Sequence, residues 1–133
     1  MINIGICDDL PINREIIKAI IQQYGKENDQ TFSIWEFGSG EELVGFLNDN
    51  DISFDLVFLD YYMKELTGLE TAIKIRQMEH DGSKPACNIV FVTATENTLG
   101  LMSVRPLRIL QKPVSPGTIN AILTFVLSEK CKT

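Results

Sequence analysis

Apolar positions along this chain fall into short continuous runs, separated by longer stretches in which they recur at helical spacing. Residues 2–7 form the first run and read as a buried strand. Ile12, Ile16, Ile17, Ile20, Ile21 and Tyr24 follow at the interval of a helix face, with Pro11 suited to its first turn. Residues 31–37 are rich in aromatic and β-branched side chains. Ser39 and Glu42 then have capping-box spacing ahead of Leu43, Phe46 and Leu47. Residues 54–59 are nearly all apolar, and Thr67 and Glu70 repeat the capping-box spacing before Leu69, Ala72 and Ile73. A further strand is expected over 88–92, a short helix over 99–104 and a fifth strand over 107–111. Ser115 and Pro116 suit a helix start, and Ile119, Ile122, Leu123, Val126 and Leu127 form its apolar face.

Five strands alternating with five helices predict one α/β domain, a parallel sheet with helices on both faces. Right-handed crossovers leave few topologies, and the expected one is flavodoxin-like (βα)5 with strand order 2-1-3-4-5. The domain is expected over residues 1–128, with 129–133 as a tail or the start of a linker. In such sheets a ligand sits beyond the carboxyl ends of the strands, so the residues there carry the functional argument.

Composition narrows the field. The 133 residues are 44% hydrophobic and 23% charged, with a net charge of −6. Such an acidic domain is not expected to grip a phosphate backbone by itself. The three cysteines, Cys7, Cys87 and Cys131, have no metal-ligand spacing, and Cys7 is expected to pack as a small hydrophobe. No apolar stretch is long enough to cross a membrane and the first residues do not read as a signal peptide, so a cytoplasmic location is expected.

Asp8 and Asp9 follow the first strand, Asp60 the third, Thr93 the fourth and Lys112 the fifth. If the strands are parallel, three carboxylates, a hydroxyl and an ammonium share one rim. Two charges about 5 Å apart at an effective dielectric of about 20 repel by roughly 3 kcal/mol, so such a cluster needs compensation. A hard divalent cation bound by oxygens, Mg²⁺, is the expected partner, with Lys112 as a second positive charge. The remaining ligand positions suit phosphate oxygens, and a carboxylate is a known nucleophile towards phosphorus. Asp60 is therefore the expected phosphoacceptor. Asp9 is expected to ligate Mg²⁺ directly, Asp8 directly or through water, with Asp60 and the backbone carbonyl of Tyr62 as further ligands. Thr93 and Lys112 are expected to hold the phosphoryl oxygens, and small Ala94 to leave room for the donor.

Each residue alone has a plainer reading. Asp8-Asp9 could cap a helix, Asp60 form a turn, and Lys112-Pro113 stand in a solvated loop. His80, in a polar run, is read as a solvated loop residue and Trp35 as packing. An aspartate-based phosphatase resembling the haloacid dehalogenase family needs a second Asp two residues after the nucleophile, where this chain has Tyr62. No G-x-x-x-x-G-K-[S/T] or G-x-G-x-x-G motif is present either.

Taken together, Asp8-Asp9, the strand ending in Asp60, Gly68-Leu-Glu-Thr-Ala, Val-Thr93-Ala94 and Gln-Lys112-Pro113 resemble the response-regulator receivers of two-component signalling, over residues 2–127. Ile-Cys-Asp-Asp, Phe37-Gly-Ser-Gly-Glu-Glu-Leu43, Asp60-Tyr-Tyr-Met63 and Val104-Arg105-Pro106 are most similar to receivers of LytTR-type (LytR/AlgR) regulators. Asn13-Arg14 and Gly68-Leu-Glu-Thr-Ala are also similar to receivers in hybrid sensor kinases. The resemblance implies a switch rather than an enzyme, one that catalyses its own phosphorylation and slow dephosphorylation. It implies a histidine kinase or phosphotransfer protein as donor. It also implies a changed face over the fourth helix, fifth strand and fifth helix, often a homodimer contact, and transcriptional output through a separate DNA-binding domain. The chain stands either as the receiver of a longer regulator or alone.

This sequence departs from the family in three ways. Met63-Lys64-Glu65 replaces the proline common after the phosphoacceptor. Ile109 stands three residues before Lys112, where the family has Phe or Tyr, and it has no ring to reorient. The stretch from Thr93 to Lys112 is short. A phosphorylation-independent pseudo-receiver, acting as an interaction module, is the alternative these departures leave.

Overall fold

The structure, a computed structural model, describes residues 2–94 and 100–131. The elements are β1 (Ile2–Cys7), α1 (Pro11–Asn28), β2 (Phe32–Phe37), α2 (Gly40–Asp49), β3 (Leu56–Asp60), α3 (Gly68–His80) and β4 (Asn88–Thr93). A 3-10 turn (Leu101–Val104), β5 (Arg108–Gln111) and α4 (Pro116–Cys131) complete the chain. All strand pairings are parallel and the sheet order is β2-β1-β3-β4-β5, as the alternation of apolar runs predicts.

Two apolar clusters flank the sheet. On one face Ile4, Leu56, Val90 and Val92 pack against Ile17, Ile21 and Tyr24 of α1 and Ile119, Ile122 and Leu123 of α4. On the other, Val57, Leu59, Ile89 and Phe91 meet Leu43 and Leu47 of α2, Ala72 and Ile75 of α3, and Leu101 and Val104 of the turn. β3 is buried at every position, which explains its unbroken apolar run. Trp35 packs against Phe46 and Phe54, as expected.

The helix starts follow their local signals. Pro11 occupies the first turn of α1. Thr67 Oγ1 accepts from the Glu70 amide at 3.2 Å, and Glu70 Oε1 accepts from the Thr67 amide at 3.0 Å, a complete capping box. At α2 the box is half formed: Ser39 Oγ accepts from the Glu42 amide, but the Glu42 carboxylate accepts from Gly38 instead of Ser39.

Three expectations need correction. The fourth helix is, among the described residues, a four-residue 3-10 turn, and Leu99 lies outside those residues. Its bounds explain its length: Gly100 and Arg105 have φ of 85° and 53°, left-handed conformations that an α-helix cannot continue through. Ile12 and Ile16 fit the apolar spacing of α1 yet are exposed: the buried face runs through Ile17, Ile21 and Tyr24, which turns Ile12 and Ile16 towards solvent, Ile16 at the edge of the cleft beside the site. His80 is exposed but is the last residue of α3, not a loop residue.

Candidate functional site

Parallel pairing brings the expected residues to one edge. Cys7 of β1 lies opposite Leu59 of β3, so Asp8 and Asp60 leave the sheet side by side. Asp60 lies opposite Val92, which places Thr93 one residue further along β4. Thr93 lies opposite Gln111, and Lys112 follows. Carboxylate oxygens of Asp8, Asp9 and Asp60 lie within 4.8 Å of one another.

The three carboxylates are not equivalent. Asp8 is buried; its Oδ1 accepts from the Leu10 amide at 2.9 Å and from Asn13 Nδ2 at 3.4 Å, and its Oδ2 meets Lys112 Nζ at 3.3 Å. Leu10, with no side-chain cap, is the residue preceding α1, so Asp8 and Asp9 do not cap that helix. Asp9 is partly exposed and makes no hydrogen bond to another described residue, leaving its oxygens available to a cation. Asp60 is buried and meets Lys112 Nζ through Oδ1 at 3.1 Å.

Electrostatics reflect this crowding. Burial and the neighbouring Asp8 hold the Asp60 carboxyl above the usual carboxylate range, and the bond from Lys112 offsets only part of that. Burial alone would lower the Lys112 ammonium, but Asp60 and Asp8 outweigh it and hold the group above its ordinary value. Cys7 is pushed well up by burial, with Asp8 and Asp60 adding to the effect. Its thiol donates to the Ser39 carbonyl and packs on Met63 Sδ, and it acts as a small core residue, as expected.

Thr93 is fully buried at the end of β4, and its carbonyl accepts from the Lys112 amide at 2.8 Å. Ala94, immediately after, is exposed at the mouth of the site. Tyr62 is exposed, with its ring edge-on to Tyr61. Beside the carboxylates an apolar cleft of about 340 Å³ opens between Ile16, Val92, Lys112, Pro113 and Val114.

Two supporting roles went unread in the sequence. Arg14 Nη1 donates to the Asp8 carbonyl at 2.6 Å while its Nε donates to Glu36 Oε1, fixing the backbone that presents Asp8 and Asp9. Gly68 packs so close to β3 that a Cβ there would collide with the Asp60 carbonyl oxygen, and its amide donates to the Tyr61 carbonyl at 2.9 Å. Gly68 stands within a recognisable motif, but nothing local to it reveals what it approaches.

A cluster of hard oxygens next to a half-buried ammonium fits a divalent cation and a phosphoryl group. Comparison with known proteins agrees in kind. Residues 4–124 match the response regulator receiver domain family. The chain is 32% identical over 130 residues to the two-component response regulator ARR22 of Arabidopsis thaliana, covering 95% of this chain and 84% of that protein. It is 28% identical over 122 residues to hybrid signal transduction histidine kinase L of Dictyostelium discoideum, covering 89% of this chain but 7% of that much longer protein. Among solved structures, the response regulator TrrA of Thermotoga maritima, in complex with Mg²⁺ and BeF, aligns with a TM-score of 0.75 at 26% identity, covering 95% of this chain and 99% of that one. The chemotaxis protein CheY4 of Vibrio cholerae aligns with a TM-score of 0.74 at 19% identity, covering 95% and 98%.

Proposed function

Because the chain belongs to the response regulator receiver domain family of two-component signalling, we propose that it is a Mg²⁺-dependent phosphoacceptor switch in which Asp60 takes a phosphoryl group from a phosphohistidine donor. The observation that carries this reading is the convergence of Asp8, Asp9 and Asp60 with Lys112 bonded to Asp60. Asp60 Oδ attacks phosphorus, the phosphorus–nitrogen bond of the donor breaks, and its electron pair stays on the imidazole, which takes up a proton. Lys112, already aimed at Asp60, remains beside the new phosphoryl oxygens as the carboxylate is consumed. Thr93 offers its hydroxyl to the same oxygens, and exposed Ala94 leaves the approach open. Asp9, Asp60 and the Tyr62 carbonyl would hold Mg²⁺, with Asp8, whose oxygens already have protein partners, acting through water. Such a cation supplies neutralising charge for the oxygens of the transferring group. The complex of TrrA with Mg²⁺ and BeF supports the same use of this site.

The donor is a histidine kinase or phosphotransfer protein. Exposed Leu10, Ile12 and Ile16 on the rim, beside the apolar cleft, suit a partner helix seated next to Asp60. Slow self-dephosphorylation belongs to the same reading, with Tyr62 beside Asp60 restricting water. The LytTR-type assignment rests on the sequence stretches named above, a transcriptional output on that resemblance, and a cytoplasmic setting on the absence of a signal peptide or spanning segment in the sequence reading. A homodimer would use β5 and α4, since among the described residues only the 3-10 turn stands where a helix is expected beside them. Between Pro116 and Leu127, α4 has no charged residue, and it exposes Phe125. Ile109 favours the second reading, an inert interaction module: it packs partly buried against the cluster holding Phe91 and Leu101.

Incubation with acetyl phosphate and Mg²⁺ tests the first reading against the second. Intact mass is expected to rise by one phosphoryl group in wild type and not in Asp60→Ala. An unchanged wild-type mass favours the inert module.

A further inference from the structure

We propose that Arg76 is a positioning residue of this switch: its guanidinium clamps residues 100–105 onto α3, and phosphorylation of Asp60 releases the clamp. The proposal rests on the reading of Asp60 above. Arg76 Nε donates to the Val104 carbonyl at 2.8 Å, and Nη2 to the Arg105 carbonyl at 3.1 Å. Nη1 donates to the Cys87 carbonyl at 2.8 Å and to the Glu79 carboxylate at 2.9 Å and 3.0 Å. Glu79 in turn accepts from the Cys87 amide at 3.0 Å. One planar fork thus ties α3, the start of β4 and the end of the 3-10 turn together, a geometry that a lysine cannot reproduce.

The clamped segment is one short turn whose own hydrogen bonds open as it leaves α3. It is bounded by two left-handed residues, Gly100 and Arg105, and Leu101 and Val104 are its buried side chains. Met102 is 66% exposed. An open cleft of about 760 Å³ between Ile73, His80, Ser103 and Arg105 leaves room beside it. Opening strands no charge. When Val104 and Arg105 leave, Arg76 keeps Glu79 and the Cys87 carbonyl, so two hydrogen bonds are exchanged for water and the ion pair stays intact. A buried pair that had to break would cost far more.

The route from the acceptor is contiguous. Leu101 and Val104 share one packed cluster with Cys7, Leu59, Met63 and Phe91, which adjoin Asp8, Asp60 and the end of β4. A phosphoryl group added at Asp60 crowds those strand ends, and close-packed side chains pass such a shift on instead of absorbing it.

Hydrogen exchange on the full chain tests this, read at the amides of Ser103, Arg105 and Leu107, which are bonded to Gly100, Met102 and Ile89. With no donor present, Arg76→Ala and Arg76→Lys are each expected to exchange about tenfold faster at Ser103 and Arg105 than wild type. Acetyl phosphate with Mg²⁺ should bring wild type to the same rate, change Asp60→Asn not at all, and add little to either Arg76 variant although their mass still rises. If Arg76→Ala fails to fold, Arg76→Lys carries the comparison. A wild-type mass that does not rise sinks the reading of Asp60 and the switch with it. A mass that rises while exchange over 100–107 stays unchanged, or Arg76→Lys with wild-type exchange, overturns the clamp alone.

Discussion

Lys112 Nζ sits 3.1 Å from Asp60 Oδ1, and the same ammonium reaches Asp8 Oδ2 at 3.3 Å. One cation therefore serves two buried carboxylates before any metal arrives. Lys112→Ala leaves both without it. The expected loss of stability in EDTA is about 1–3 kcal/mol, below the full cost of breaking a buried pair because Asp60 can take up a proton and Lys112 is partly solvated. Thermal denaturation of both proteins measures it, and Mg²⁺ should narrow the gap. A variant as stable as wild type without metal would show that the pair contributes nothing.

Without metal, Asp60 also makes stability depend on pH in a defined direction. Its carboxyl is held above the usual range, so the folded chain binds this proton more tightly than the unfolded chain does. That contribution is fully present below the ordinary carboxylate value and is lost as pH rises through the raised one. Asp60→Asn has no such proton. Its melting temperature in EDTA should exceed that of wild type at neutral pH, and the difference should vanish on acidification. A difference that grows towards low pH contradicts the assignment.

Asp8 and Asp9 should separate in a metal titration. Asp9→Asn keeps every described hydrogen bond of the fold and removes an available ligand, so it should nearly abolish the rise in melting temperature that saturating Mg²⁺ gives wild type. That rise corresponds to about 1.4 kcal/mol when the free cation stands at ten times its Kd. Asp8→Asn loses the charge facing Lys112 and should instead disturb the metal-free protein more. Equal responses of the two variants would remove the distinction drawn between them.

Gly68→Ala puts a methyl group against the Asp60 carbonyl, a backbone atom that has no rotamer to change. The expected destabilisation is about 1–3 kcal/mol, as for other overpacked sites. Because the displaced residue is the proposed acceptor, modification by acetyl phosphate should slow as well. Wild-type values for both would mean that the loop before α3 gives way freely.

Most of the architecture can be read from runs and caps. The unbroken apolar stretch before Asp60 could only be an inner parallel strand, and once the order 2-1-3-4-5 was inferred, the residues after each strand had to meet. Other features were not legible because their causes lie across the fold. The 3-10 turn depends on left-handed backbone at Arg105, a residue type that does not announce it. Arg14 and Arg76 each act on carbonyls of distant segments, and Gly68 is excluded from bearing a side chain by a strand that precedes it. Ile12 and Ile16 obey helical periodicity, but an apolar stripe wider than the buried face does not tell which of its edges meets the sheet.

The bond between Lys112 and Asp8 joins positions 104 residues apart in sequence. During synthesis the acidic residues emerge first and their basic partner last. Until the final strand docks, the half-built protein holds mutually repelling anions without that ammonium opposite them. On the proposed function, acceptance of a phosphoryl group then waits for β5 to dock, and the site doubles as a report of that step.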